Sequence, residues 1–229
     1  MWPLLAAGAA VAYGAYAAAW PAARRWGDSI HRLPTRERRI ALTFDDGPSN
    51  ETPRFLELLS DLDVRATFFV CGQNVERRAD VARAIVAAGH ELGNHSYSHP
   101  VLLAHGPRRV RDELTRTQRV IEDATGASPS LFRPPYGVRS PALSAVQRDL
   151  DLLAVHWTVI GNDWKWKSPR IVQRVLAAAC PGGIICLHDG HGAREIADRR
   201  QTLDAVREIV TELKRAGYDF VTVGETLTR

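Results

Sequence analysis

From Pro34 onward the chain alternates short apolar runs with amphipathic stretches, and this rhythm repeats seven times. Runs near residues 40–44, 66–70, 91–93, 131–132, 152–159, 184–187 and 220–223 have the length and composition of strands. Between them Phe55, Leu58, Leu59 and Leu62 keep the spacing of one helical face. So do Val110, Leu114, Thr117 and Ile121, and again Leu203, Val206, Ile209, Val210 and Leu213. Gly89, Gly126 and Gly217 stand where such helices should end. Strands that alternate with helices pair in parallel through right-handed crossovers, because each helix returns the chain to the same end of the sheet. The pattern predicts an α/β fold, a barrel-like domain of about seven parallel strands, closed or nearly so. No Gly- or Ser-rich linker, low-complexity tract or internal repeat interrupts it, so residues 38–229 read as a single domain.

Ahead of that domain, residues 2–23 carry no charge and half of them are alanine. At about 1.5 Å per residue a helix of this length crosses a bilayer, so residues 1–29 are expected to form an apolar N-terminal helix and membrane anchor. A cleaved export signal competes with this reading, although no Lys or Arg precedes the apolar run. Arg24, Arg25, Arg32, Arg36, Arg38 and Arg39 all follow it, and the positive-inside rule would keep that side in the cytoplasm. A hydrophobic content of 45% with 24% charged residues excludes wholesale disorder. The net charge of +4 suits an anionic envelope surface, but the basic residues form no aromatic-basic motif, which argues against nucleic acid as a partner. Cys71, Cys180 and Cys186 lack metal-ligand spacing, and Cys71 and Cys186, set at or within apolar runs, are expected to serve as small buried hydrophobes.

Polar motifs punctuate the ends of the runs. The first run delivers Asp45 and Asp46 into the Gly47-Pro48 turn, placing two carboxylates at a strand's carboxyl end, where parallel α/β folds gather catalytic groups. One carboxylate can hold a metal while the other stays free as a base. After the third run, His95-Ser96-Tyr97-Ser98-His99 sets two imidazoles four apart. With Asp46 as third ligand they make a two-histidine, one-carboxylate site with room for water, the layout of a catalytic zinc rather than a structural one. Arg133, stiffened by Pro134 and Pro135, is expected to hold a carboxylate in a bidentate grip. Asp163 beside Trp164 can orient a histidine and wall a sugar-sized pocket. His188 closes the sixth run as a general acid whose pKa a neighbouring carboxylate can raise. Each motif alone has an ordinary alternative as a surface histidine pair, a solvated arginine or an exposed acid. Five of them at the ends of five strands converge on one mouth.

Thr43-Phe44-Asp45-Asp46-Gly47-Pro48, His95-Ser96-Tyr97-Ser98-His99, Arg133-Pro134-Pro135-Tyr136-Gly137, Asp163-Trp164 and Leu187-His188-Asp189 resemble the five ordered motifs of the polysaccharide deacetylases. These are carbohydrate esterases of the nodulation-protein-B type, and the resemblance covers about residues 38–224. It implies a distorted (β/α) barrel with fewer than eight strands and a metal-dependent hydrolysis of N-acetyl groups from amino sugars. By the same resemblance Asp45 is the general base, and Asp46, His95 and His99 hold the metal, usually Zn2+, with another divalent transition metal such as Co2+ as the alternative. Arg133 orients Asp45, the Tyr136 backbone N–H helps hold the oxyanion, and Asp163 orients His188, the acid. Leu187 and Trp164 line the acetyl pocket. Ile160 departs from the pattern, standing where many members carry another acid. The expectation is a membrane-anchored, extracytoplasmic deacetylase whose partner is an acetylated glycan, an N-acetylglucosamine-containing envelope polymer such as peptidoglycan. Competing expectations are a deacetylase of a lipid-linked or small acetylated sugar at the cytoplasmic face, and a non-catalytic carbohydrate-binding protein of the same fold. A glycosidase pairing Asp45 with Asp46 is disfavoured, since adjacent residues do not flank a glycosidic bond at the roughly 5–9 Å it needs.

Overall fold

The computed structural model describes residues 28–194 and 196–227. Of the segment 1–29 expected to form an N-terminal helix and anchor, residues 1–27 lie outside them, and Ser29 belongs not to a helix but to a strand paired in parallel with Ala154. Among the described residues no helix is long and apolar enough to cross a membrane.

In chain order the elements are β1 (Ser29–Ile30), β2 (Arg39–Gly47), α1 (Thr52–Asp61), β3 (Thr67–Val70), α2 (Gly72–Arg77), α3 (Ala79–Ala87), β4 (Glu91–Asn94), α4 (Pro107–Thr125) and β5 (Leu131–Phe132). They continue through α5 (Pro141–Asp149), β6 (Leu153–Val155), β7 (Val159–Ile160), α6 (Ser168–Ala178), β8 (Ile184–His188), α7 (Arg200–Arg215) and β9 (Asp219–Phe220). The strands lie in the order β1-β6-β5-β4-β3-β2-β8-β7, with β9 beside the start of β2, and every pairing is parallel. The three faces with helical spacing are buried as expected except for Leu62, which is partly buried at the end of its helix, and Gly89, Gly126 and Gly217 follow their helices with φ of 78°, 74° and 78°.

Each of the seven expected runs carries a strand, but the run at 152–159 carries two. Its first half, β6, pairs with β1 and β5; its second, β7, pairs with β8 at the other end of the sheet. Residues 156–158 therefore cross the seam of the curled sheet. The side chain of Arg133 takes the carbonyls of Val155 and His156, so these groups leave the ladder at that point. Thr158 stitches the seam further, donating from its hydroxyl to the His31 carbonyl. Arg32 bridges Gly183 antiparallel across the same gap.

The pleat sorts side chains between two cores. Ile40, Leu42 and Phe44 of β2 pack with Phe68, Ile185 and the helical residues Phe55, Leu59 and Ile209. Ala41 faces the other way, into a smaller cluster with Phe69, Leu131, Val155 and Ile184 that fills the barrel. Thr43 and Asp45 follow Ala41 on that inner face, which leads upward to the mouth. Cys71 and Cys186 are buried as expected; Cys180 is partly exposed and accepts a hydrogen bond from Arg32.

Phe68 is fully buried and stacks on Phe44 with ring centroids 5.0 Å apart, directly beneath the strand end that carries the two aspartates. Phe68→Ala should cost about 3–5 kcal/mol of stability, the usual penalty for emptying an aromatic site in a packed core. Denaturant unfolding of the variant checks this.

Candidate functional site

Adjacent residues on a strand point to opposite faces, so a regular β2 would send Asp46 into the helical layer. The strand is bulged instead. Asp45 pairs with Phe69 and Gly47 with Val70, leaving Asp46 as the extra residue, with a φ of +75°. The bulge turns Asp46 back toward the mouth, and both carboxylates line one cleft of about 700 Å³. The tight path needs glycine on either side. A Cβ at Gly47 would strike the Asp189 carboxylate, and one at Gly190 the Asp46 carbonyl.

The loop after β4 brings His95 and His99 to Asp46. Their Nε2 atoms lie 3.4 and 3.2 Å from Asp46 Oδ1, and left-handed φ values of 65° at Ser96 and 56° at His99 fold the loop tightly enough to do so. His95 Nδ1 is 2.7 Å from the Arg133 carbonyl, which can only accept, so that nitrogen carries the proton and Nε2 presents its lone pair to Asp46. Burial, followed by the proximity of the His95 ring, lowers the His99 pKa to about 4. Burial alone would raise the Asp46 pKa, but the facing imidazoles of His95, His188 and His99 outweigh it and hold the carboxyl well below the usual range. Asp46 Oδ1 is buried without a hydrogen-bond donor. An ionised carboxylate with an orphaned oxygen, beside a lone pair fixed by its tautomer and a second neutral imidazole, is a donor set for a dication, and the three ligand atoms lie within 4.8 Å of one another. Asp45, Cys186 and His188 also come this close. Burial and the neighbouring Asp45 keep the Cys186 thiol protonated, however, and His188 holds its proton too, so two of the three groups are donors rather than ligands.

Arg133 is wholly buried and directs Nη1 to Asp45 Oδ1 at 2.6 Å and to Thr43 Oγ1 at 2.8 Å. The expected bidentate grip is not formed. Nε and Nη2 go to the Val155 and His156 carbonyls, at 2.9 and 3.1 Å, because the guanidinium sits inside the barrel where those carbonyls leave the ladder. Asp45 Oδ2 is left with the weak Cys186 S–H donor at 3.4 Å. Across the cleft, His188 Nδ1 lies 2.9 Å from Asp163 Oδ1, and Asp163 Oδ2 accepts from the His188 amide and the Thr202 hydroxyl. Burial disfavours the imidazolium, but Asp163, Asp46 and Asp45 outweigh it and push the His188 pKa up to about 9. Trp164, 46% exposed, sets its ring edge-on to His188 at 5.2 Å.

Tyr136 overhangs the site with its ring against His99 and a φ of 60°; its amide is not among the hydrogen bonds that close the turn. Leu187 does not line the cleft. The pleat that turns His188 inward turns Leu187 outward, into the helical core against Gly161. Sequence reasoning missed Thr43, Cys186 and Trp157, and the wall formed by His191, Gly192, Ala193 and Arg194. That wall is held in place by Asn74, which donates to the Asp46 and Gly192 carbonyls, and by Arg77, which donates to Ala193. Asp189 lies wholly buried beneath it, with its pKa raised to about 7 by burial despite the Thr52 hydroxyl.

A family model described as polysaccharide deacetylase matches residues 32–155. The chain belongs to the polysaccharide deacetylase family. Over 190 residues it is 37% identical to the peptidoglycan-N-acetylglucosamine deacetylase PgdA of Listeria monocytogenes, a match that covers 82% of this chain and 38% of that protein. The chain thus spans well under half the length of that relative. Over 191 residues it is 39% identical to a chitooligosaccharide deacetylase of Bradyrhizobium, covering 80% of this chain and 87% of the relative. Among solved structures it resembles a CE4 family pseudoenzyme from Bacillus anthracis, with a TM-score of 0.80 at 33% identity over 87% of this chain and 69% of that one. A polysaccharide deacetylase fold therefore does not itself guarantee catalysis, which depends on the residues of the mouth.

The His188–Asp163 pair gives a direct test of this electrostatic account. In the metal-free protein the His188 ring should titrate near 9 by NMR. Asp163→Asn should move it down by about 1–3 units, the effect of removing an opposite charge at contact distance.

Proposed function

We propose that this polysaccharide deacetylase hydrolyses N-acetyl groups of N-acetylglucosamine residues in an envelope polymer, peptidoglycan foremost, using Zn2+ held by Asp46, His95 and His99. The observation that carries the reading is the chemical inequality of groups lining one cleft. An ionised Asp46 faces two imidazoles, Asp45 is anchored by a buried arginine with only a weak thiol donor at its second oxygen, and His188 stays protonated through neutrality.

A dication in that site supplies Lewis acidity toward an acetyl oxygen and eases deprotonation of water. The remaining work falls to the chain's own side chains. Asp45 Oδ2 takes the proton of the attacking water, while Arg133 fixes Oδ1 and so aims the free lone pairs into the cleft. His188 gives its Nε2 proton to the departing amine nitrogen as the C–N bond breaks. Asp163 holds Nδ1–H and stabilises the imidazolium until that moment. The water oxygen remains on the acetyl carbon, and the products are acetate and the free amino sugar. In this reading the Tyr136 amide donates to the acetyl oxygen and Trp164 walls the acetyl group, roles supported by both residues lining the cleft and by the Trp164 ring lying against His188.

The uncharged stretch at residues 2–23 supports a membrane-anchored enzyme. The polymer it acts on favours the outer face, against the pull of the arginines that follow the stretch. Protease treatment of intact cells should then degrade the domain, and survival of the domain would place it inside.

Acetate release from N-acetylglucosamine oligomers and peptidoglycan fragments, with and without chelator, tests the reaction. Activity should vanish with chelator and return with zinc. Asp45→Asn and His188→Ala should each lower kcat by about 10²-fold or more, the usual cost of losing a general base or acid. Release that ignores chelator and both substitutions would refute the reading.

A further inference from the structure

Beside the catalytic cleft runs a second groove of about 520 Å³, lined by Trp157, Ile160, Trp166, Arg170, Gln173 and Arg174 among others. It adjoins the cleft, and Trp157 and Ile160 line both. No acid occurs between Asp163 and Asp189, whereas Lys165, Lys167, Arg170 and Arg174 all fall there. Among the described residues none of these four cations has a carboxylate at ion-pair distance.

Two of the cations are held in place without neutralisation. The Trp166 indole, packed partly into the core, carries the Arg170 guanidinium at 4.1 Å from its ring centroid and that of Arg174 at 5.6 Å. Arg174 Nε also donates to the Ile160 carbonyl at 2.6 Å, which ties that guanidinium to the boundary between groove and cleft. The boundary residue itself is uncharged. An indole platform thus presents two oriented guanidinium groups one cavity away from the metal-ligand set, and guanidinium forks match planar carboxylates.

We infer that this groove is a second glycan subsite, which takes a carboxylate-bearing sugar of the same polymer strand whose acetylated sugar lies in the cleft. The inference deepens the deacetylase reading and rests on it for the position of the strand. Trp157 spans both cavities and offers its face to the sugar at the junction. Arg170 and Arg174 pair with the carboxylate. A neutral chitin-like strand gains nothing from these charges, so the subsite selects for an acidic polymer.

The test measures binding without turnover, using the full-length, metal-loaded Asp45→Asn chain and following tryptophan fluorescence. The probes are an N-acetylglucosamine-containing oligosaccharide with carboxylates on alternate sugars and its methyl ester of equal length. The acid form should bind about tenfold more tightly at low salt, and most of that gap should close at about 0.5 M salt, where the Debye length falls to a few ångströms. Arg170→Gln with Arg174→Gln should bring the two affinities together, and Arg170→Lys with Arg174→Lys should restore part of the gap. Equal affinities in the parent, a gap that survives the double glutamine variant, or an equal loss for both probes would overturn the proposal. Vesicles of phosphatidylglycerol captured through the same arginines, with no preference between the oligosaccharides, would overturn it in favour of a lipid surface. Acetate release by the unsubstituted chain is followed separately, so a failure of the deacetylase reading is seen apart from a failure of the subsite.

Discussion

A single buried cation organises this molecule. Arg133 has no exposed surface, and a charge so placed persists only when every polar group around it is turned to its service. One nitrogen meets Asp45 and Thr43 of β2, the others meet the carbonyls that close β6, and its own carbonyl fixes the tautomer of His95. The Phe69 ring lies 4.2 Å from the guanidinium carbon and shields it from below. The position of Asp45, the tautomer of His95 and the break between β6 and β7 are thereby set by one residue. The break matters to the fold because the three residues beyond it carry the chain across the seam of the curled sheet.

The environment then makes like groups unlike. Asp45 and Asp46 are neighbours in sequence, yet one is anchored by the arginine with an oxygen to spare and the other faces two imidazoles. The histidines diverge just as far. Burial strips His99 of its proton down to a pKa of about 4, whereas Asp163 and the paired aspartates hold His188 protonated up to about 9. A lone-pair donor and a proton donor of the same residue type face each other across one cleft, and groups pushed apart in this way mark acid and base roles.

The same scaffold is shared with relatives named as deacetylases and with a pseudoenzyme, so the barrel sets where chemistry can happen and the mouth sets whether it does. Around that mouth the outer walls are basic. Arg194 stands on one side, and the Trp166 platform with its two arginines lies beyond the other. These cations lie outside the five motifs, and the proposed acidic-sugar subsite would use them to choose among polymers that present the same acetylated sugar.

Much of this was legible in the chain itself. The alternation of apolar runs with helical faces determined a parallel α/β architecture, since period-two and period-3.6 burial are local properties of consecutive residues. The five polar motifs were legible for a related reason: parallel strands deliver all their carboxyl ends to one side, so position along a run already implies a shared mouth. Other features depended on where distant segments meet. The run at 152–159 reads as one strand, and only the Arg133 side chain arriving from β5 divides it. The spacing of the arginine motif suits a bidentate clamp, but the carbonyls of β6 compete for the same nitrogens. Leu187 belongs to a catalytic motif, and the pleat of β8 nonetheless turns it to the helices. Asp46 reaches the metal-ligand set only because a bulge, accommodated by Gly47 and Gly190, reverses its face. The protonation states of His99 and His188, and the meeting of Trp157 with Trp166 along a second groove, were likewise decided by tertiary structure. Burial, field and contact are sums over residues far apart in sequence, whereas periodicity and turn chemistry are written in neighbours.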